Sequence, residues 1–71
     1  MLPKGLLYLN SGFNEISTLP ELPKGLISLN CCYNKLNSLP SLPEGLVHLY
    51  CYSNKITELP SLPKSLIKIA Q

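Results

Sequence analysis

The sequence has few charged side chains, and it contains no arginine, no aspartate and no tryptophan. Its charge comes from six lysines and four glutamates, and the lysines are spread along the chain rather than clustered. A surface that binds nucleic acid or an anionic membrane needs several cations on one face. We therefore expect neither nucleic acid nor a membrane among the partners.

Residues that carry catalytic or metal chemistry are also scarce. His48 is the only histidine, and the cysteines, Cys31, Cys32 and Cys51, lack the spacing of zinc ligands. An odd number of cysteines, with two of them adjacent, does not form a disulfide framework. No histidine and acid accompany a nucleophile as a catalytic set would require. The sequence thus predicts no enzyme activity, no metal and no cofactor.

Long apolar segments are absent as well. The longest apolar run, 6–9, falls far short of the roughly 18 residues of a spanning helix. The N-terminus lacks the charged region and apolar stretch of a signal peptide. Because unpaired cysteines are typical of reducing compartments, we expect an intracellular protein.

The sequence does contain a repeat with a period of 20 residues. The segment 2–6 reads Leu-Pro-Lys-Gly-Leu, and close copies of it begin at positions 22, 42 and 62. Such self-similarity is typical of solenoid architectures. We interpret the chain as a single domain, 1–71, with full units 2–21, 22–41 and 42–61 and a partial unit 62–71.

Alternation within each unit predicts a short strand. In the second unit Ile27, Leu29 and Cys31 fall on one side, and Ser28, Asn30 and Cys32 fall on the other. We expect the first set to point inward, together with Leu7 and Val47 of the neighbouring units. Cys32 is expected to point outward, and Cys31 and Cys51 to be buried thiols.

The prolines exclude a helix from the rest of each unit. Two of them lie three residues apart in segments such as 19–23, and each disfavours helical backbone before it. These segments should be extended, close to polyproline II, and lie opposite the sheet. The glycines at 5, 25 and 45 suit turns that need a positive φ or a close approach of the backbone, although Ser65 at the fourth position indicates that glycine is not obligatory. Stacked coils of this kind form a β-rich solenoid with a parallel sheet of three to four short strands.

The second unit resembles a known family pattern. Its residues Leu26, Leu29, Cys31, Asn34 and Leu36 fit L-x-x-L-x-L-x-x-N-x-L, the consensus of leucine-rich repeats. The 20-residue Leu-Pro form is similar to repeats of secreted effectors of Gram-negative bacteria and of giant-virus and environmental bacterial proteins. This resemblance implies a curved solenoid whose parallel sheet lines a concave face and whose Leu-Pro segments form the convex side.

The resemblance also limits what is carried over. Effectors of this kind have an N-terminal helical hairpin, and some have a C-terminal ubiquitin-ligase domain; neither pattern occurs in the sequence, so ligase activity is not expected. We interpret the chain as a piece of a longer array or a very small member. A fragment of a secreted effector is the alternative to an intracellular protein.

The family pattern separates structural from binding residues. Asn14, Asn34 and Asn54 should form an asparagine ladder that bonds the backbone at the turns. The candidate protein-binding residues on the concave face are Tyr8, Asn10, Ser28, Asn30, His48, Tyr50 and Tyr52. Exposed tyrosines provide large contact area at low entropic cost, although they can also cover one another and stabilise the sheet.

Together these observations predict a non-catalytic module that binds an unidentified protein through its concave face. The alternative is a structural segment of a longer solenoid, or a scaffold that associates end to end, with recognition elsewhere.

Overall fold

The computed structural model of the chain describes residues 2–71, and it is a stack of coils with one parallel sheet. The sheet has four strands of three residues each, and their spatial order is their order in the chain. The strands are β1 (Tyr8–Asn10), β2 (Ser28–Asn30), β3 (His48–Tyr50) and β4 (Lys68–Ala70). No helix occurs in the described part of the chain. The predicted β-rich solenoid is confirmed.

The strands pair in register with the sequence repeat. Leu9 pairs with Leu29, Leu29 with Leu49, and Leu49 with Ile69. A parallel in-register sheet stacks equivalent side chains about 4.8 Å apart, so each leucine is covered by its counterpart in the next coil. Leu29 and Leu49 are fully buried, whereas Leu9 at one end is only partly covered. The middle coils therefore contain most of the core.

The core lies between the sheet and the proline-rich return segments. Its buried members are Leu22, Leu26, Leu29, Cys31, Leu36, Leu39, Leu46, Leu49 and Cys51. Leucines from the return segments, such as Leu22 and Leu39, face the strand leucines and close the coil. Burying one leucine stabilises the folded state by about 1.5–3 kcal/mol. Each coil is covered by its neighbours, so this stabilisation depends on the neighbouring coils being present.

The turns before the strands do not have the geometry that the glycines predicted. Each turn is closed by a hydrogen bond to a proline carbonyl from the N–H of the leucine two positions before the strand. In the second coil this bond runs from Leu26 N to Pro23 O at 3.2 Å. No glycine in residues 2–71 has a positive φ, so that expectation is wrong. Gly5 and Gly45 have open space around them, and Ser65 at the fourth turn donates to the Leu46 carbonyl at 2.7 Å.

The left-handed backbone lies instead after the strands, at residues with side chains. Phe13, Tyr33 and Ser53 have φ values of 59°, 56° and 58°. A left-handed conformation costs a non-glycine residue roughly 1–2 kcal/mol. Because the same strain recurs in every full coil, the turn after each strand is a fixed feature of this fold.

The predicted alternation holds within the strands and one residue beyond β2 and β3, where Cys31 and Cys51 are buried as expected, but not further along the chain. Leu7, Ile27 and Val47 were expected inside, but they precede the strands and lie outside the core cluster. Cys32 was expected outside, but only 2% of its surface is exposed. The strand ends at Asn30, so the period of two no longer applies when the chain turns at Cys32.

Candidate protein-binding site

The outward face of the sheet carries two columns of side chains, one on each side of the buried leucine column. Along the first column Tyr8 pairs with Ser28, Ser28 with His48, and His48 with Lys68. These four residues are partly or fully exposed. The structure thus brings three of the predicted site residues, Tyr8, Ser28 and His48, into one row.

The second column has a different role in its first two coils. The Asn10 side-chain oxygen accepts from the Gly12 N–H at 3.1 Å, and that of Asn30 accepts from the Cys32 N–H at 3.1 Å. Such a bond to the backbone two residues on is an Asx turn. Asn10 and Asn30, both predicted to bind a partner, therefore already hold the turn that follows the strand.

Tyr50 occupies the same column in the third coil and cannot make this bond. Within residues 2–71 the Tyr52 N–H has no hydrogen-bond partner, and neither does the Tyr50 side chain. The Tyr50 ring instead lies parallel to the His48 ring, with 6.5 Å between centroids and 7° between planes. The third coil thus presents two stacked polar rings on the outward face, and neither side chain has a hydrogen-bond partner in the described part of the chain.

Tyr52, also a predicted site residue, lies after strand β3 rather than in it. It follows the strand, and its ring packs edge-on against Tyr33 at 5.4 Å, while Tyr33 stacks on Phe13 at 4.4 Å. A side-chain hydrogen bond to Cys32 raises the pKa of the Tyr52 hydroxyl, with the charge of that thiol adding to the effect. The aromatic row Phe13, Tyr33 and Tyr52 therefore lines the turns that follow the first three strands.

An apolar row borders the outward face and was missed by the sequence reasoning. It consists of the residues that precede each strand: Leu7, Ile27, Val47 and Ile67. Leu7 is 46% exposed and Ile67 is 77% exposed, and the two middle members are half-buried. The recurrence of an aliphatic residue at all four positions was the available signal, but it was attributed to the core.

The asparagine ladder joins successive coils through the backbone. The Asn34 amide donates to the carbonyls of Ser11, Cys31 and Cys32 at 3.0–3.1 Å, and its oxygen accepts from Ile16 N. Asn54 repeats this pattern one coil later, reaching back to the Cys31 carbonyl at 2.9 Å. Asn14 is exposed and donates only within its own turn. The ladder residues are structural, and they lie away from the outward face.

The thiols are packed inside the stack rather than poised for reaction. All three cysteines are free and buried. Burial, with smaller contributions from the charges of Cys51 and Cys32, raises the pKa of Cys31 from 9.0 to about 12. Burial likewise raises the pKa of Cys51. A reactive cysteine needs a lowered pKa, so neither thiol is prepared for nucleophilic chemistry. No cluster of metal-binding side chains occurs in residues 2–71.

The described residues contain no helix that is long and apolar enough to cross a membrane. No model of a protein family matches the sequence, and no curated protein matches it.

Among solved structures, the chain is similar to a Shigella effector LRR domain. The two share 40% sequence identity and superpose with a TM-score of 0.96. The match covers 97% of this chain and 31% of that chain, so this chain spans about a third of the length of its structural relative. The chain is therefore a leucine-rich repeat domain whose repeats resemble those of bacterial effectors.

Proposed function

We propose that the chain is a non-catalytic module that binds a protein through the concave face, where Tyr8, His48 and Tyr50 make the principal contacts. Leucine-rich repeat domains are in general protein-interaction modules, and this general role supports the proposal.

The main support for the proposal is that Tyr50 occupies, in the third coil, the position that asparagine occupies in the first two coils. Asn10 and Asn30 each accept a hydrogen bond from a backbone N–H, whereas within residues 2–71 the N–H of Tyr52 has no protein acceptor. An unpaired backbone group costs stability when it is shielded from water. A residue that breaks a local structural rule without a structural gain is a candidate for a functional role.

The surroundings of Tyr50 support a contact surface. His48 stacks on it, and the apolar row Leu7, Ile27, Val47 and Ile67 lies beside His48 in the neighbouring column. Tyrosine is enriched among the hot-spot residues of interfaces, and the rim around them is polar and accessible to solvent. Lys68 provides such a rim charge.

The size of the face limits the partner. Four strands about 4.8 Å apart and three residues long span roughly 14 Å by 10 Å. This area is well below the roughly 800 Å² per partner of a stable protein–protein interface. We therefore propose that the chain holds one extended loop or terminal segment of the partner rather than a large folded surface.

Photo-crosslinking tests the proposal. A photoreactive phenylalanine analogue at position 8 or 50 should crosslink to a partner isolated by affinity capture, and mapping should find one short partner segment. The same group at Ser41, an exposed residue of a return segment, is the matched control and should crosslink weakly. Stronger crosslinking from position 41 would place binding on the convex side and contradict the proposal.

A further inference from the structure

The polar groups on the outward face of the sheet are mainly hydrogen-bond donors. In its second column the side-chain oxygens of Asn10 and Asn30 each accept from a backbone N–H at 3.1 Å. A backbone N–H can only donate, so these bonds fix Oδ1 as the acceptor of each amide and leave Nδ2 as its donor. Neither Nδ2 has a hydrogen-bond partner within residues 2–71. The two asparagines therefore present donors, while their oxygens are already engaged.

The third coil and the strand beside it add further donors. In the described part of the chain the Tyr52 N–H has no protein acceptor, because Tyr50 stands where the earlier coils have asparagine. The His48 ring has an N–H in either neutral tautomer, and the Tyr50 hydroxyl can also donate. On β4, Lys68 pairs with His48 and contributes an ammonium group, which has three donors and no acceptor.

The same face has a positive charge and no carboxylate. Lys68 is exposed, and it lies beside His48 because paired residues of neighbouring strands are about 4.8 Å apart. The glutamates all lie outside the strands and outside the apolar row, at positions 15, 21, 44 and 58. Glu15 forms an ion pair with Lys35 at 3.5 Å, whereas Lys68 forms no ion pair within residues 2–71. The charge of Lys68 is therefore available to a partner.

We infer that the segment bound on this face is acidic, with an aspartate or glutamate whose carboxylate lies over His48 and Lys68. The inference rests on the proposed function, because it concerns the same surface. An ionised carboxylate has two oxygens that only accept hydrogen bonds, so it is complementary to a surface of donors with one positive charge. Hydrogen bonds between an ammonium group and a carboxylate are also stronger than those between neutral groups.

The neighbouring apolar row adds a second requirement for the segment. Val47 and Ile67 directly precede His48 and Lys68, and both are at least partly exposed. An apolar side chain next to the acid would cover them. Nucleic acid has no such side chain, and its phosphates need several cations on one face, whereas this face has one lysine. A peptide segment with an acidic and an apolar residue side by side therefore fits the surface.

Selection from a random peptide library tests the inference on the complete 71-residue chain. Short random peptides displayed on phage are selected on the immobilised chain, and the bound peptides are sequenced. Each is then tested against the Tyr50→Ala chain, which identifies the peptides that bind the outward face. In these peptides we expect aspartate or glutamate at one fixed position, next to an apolar residue.

An exchange of charges locates the carboxylate. A synthetic peptide with the sequence of the strongest binder should bind the Lys68→Glu chain at least about fivefold more weakly, because attraction is replaced by repulsion. Lysine in place of the acid in that peptide should weaken binding to the unaltered chain and restore binding to Lys68→Glu. The matched control is Lys55→Glu, which changes the net charge equally at an exposed residue next to the asparagine ladder and should leave the affinity unchanged. Circular dichroism checks that both variants are folded.

The possible results separate this inference from the proposed function. Peptides that need Tyr50 but have no acidic residue at a fixed position would overturn the inference and leave the proposed function in place. Equal affinity of the acidic peptide for the Lys68→Glu chain and the unaltered chain would have the same meaning. Peptides that bind equally well to Tyr50→Ala, or a library that yields no binder, would overturn both.

Discussion

The side chain of Asn34 and the backbone of Ile16 connect adjacent coils, with Ile16 N donating to Asn34 Oδ1 at 3.1 Å. The amide nitrogen of the same side chain donates to the carbonyls of Ser11, Cys31 and Cys32. One buried residue therefore satisfies four backbone groups in two coils. Removing the Asn34 side chain should therefore destabilise the whole stack of coils.

We predict that Asn34→Ala lowers the free energy of unfolding by about 1–3 kcal/mol, because it leaves shielded backbone groups unpaired. Asn37→Ala is the matched control, since Asn37 is exposed and outside the ladder; it should cost less than about 0.5 kcal/mol. The loss of stability in Asn14→Ala should be intermediate, because the Asn14 side chain donates hydrogen bonds only within its own turn. Urea denaturation measures all three variants, and equal midpoints would contradict the structural role of the ladder.

The left-handed conformation of Tyr33 predicts an inverted order of glycine and alanine. Both substitutions remove the ring that stacks on Phe13, but only glycine adopts a φ of 56° without strain. Tyr33→Gly should therefore be more stable than Tyr33→Ala by about 1 kcal/mol. At Tyr8, which lies in a strand, the usual order should hold, with alanine the more stable. Thermal or urea unfolding of the four variants measures their relative stability. If Tyr33→Ala is more stable than Tyr33→Gly, the backbone at position 33 is not strained.

Cysteine labelling tests the role of Tyr52 in the turn. All three cysteines are buried, so a thiol reagent should label them slowly in the native chain. The Cys32 thiol is close enough to the Tyr52 hydroxyl to raise its pKa, so the Tyr52 ring should shield Cys32. Tyr52→Ala should increase the labelling rate of Cys32 selectively, whereas Tyr8→Ala, on the outward face, should not. Peptide mass mapping identifies the labelled residue. Rapid labelling of Cys32 in the unaltered chain would mean that this residue points outward.

The raised pKa of Cys31 predicts a loss of stability in alkaline solution. The native state holds the thiol protonated up to about pH 12, while the unfolded chain ionises it near 9.0. Between these values the unfolded state binds fewer protons, so the free energy of unfolding falls as the pH rises. Cys31→Ala should show a shallower decline between about pH 8 and about pH 10 than the unaltered chain. Identical slopes would contradict the burial of this thiol.

The architecture could be predicted from the sequence because the 20-residue repeat determines how the coils stack. Leu29 recurs every 20 residues, and only in-register stacking covers each copy with the next. The prolines exclude helix and ladder pairing from the return segments, which fixes their place opposite the sheet. The asparagine ladder follows from the same reasoning, since each turn has backbone groups that the strands do not satisfy.

Details of the site needed the three-dimensional arrangement. Alternation assigned Cys32 to the outward face, but a strand of three residues ends before Cys32, and the following turn buries it. Ile27 was assigned to the core by the same rule, although it precedes the strand. Asn30 looked like a contact residue because sequence alone does not show that its side chain bonds the Cys32 N–H.

The central claim is that the outward face is needed for binding and not for folding, and the affinity of the isolated partner tests it most directly. Tyr50→Ala should weaken binding by about 2 kcal/mol or more, the scale of a hot spot, with an unchanged unfolding midpoint. Ser41→Ala should change neither quantity. An unchanged affinity in the Tyr50 variant, together with a loss of affinity in the Ser41 variant, would contradict the claim.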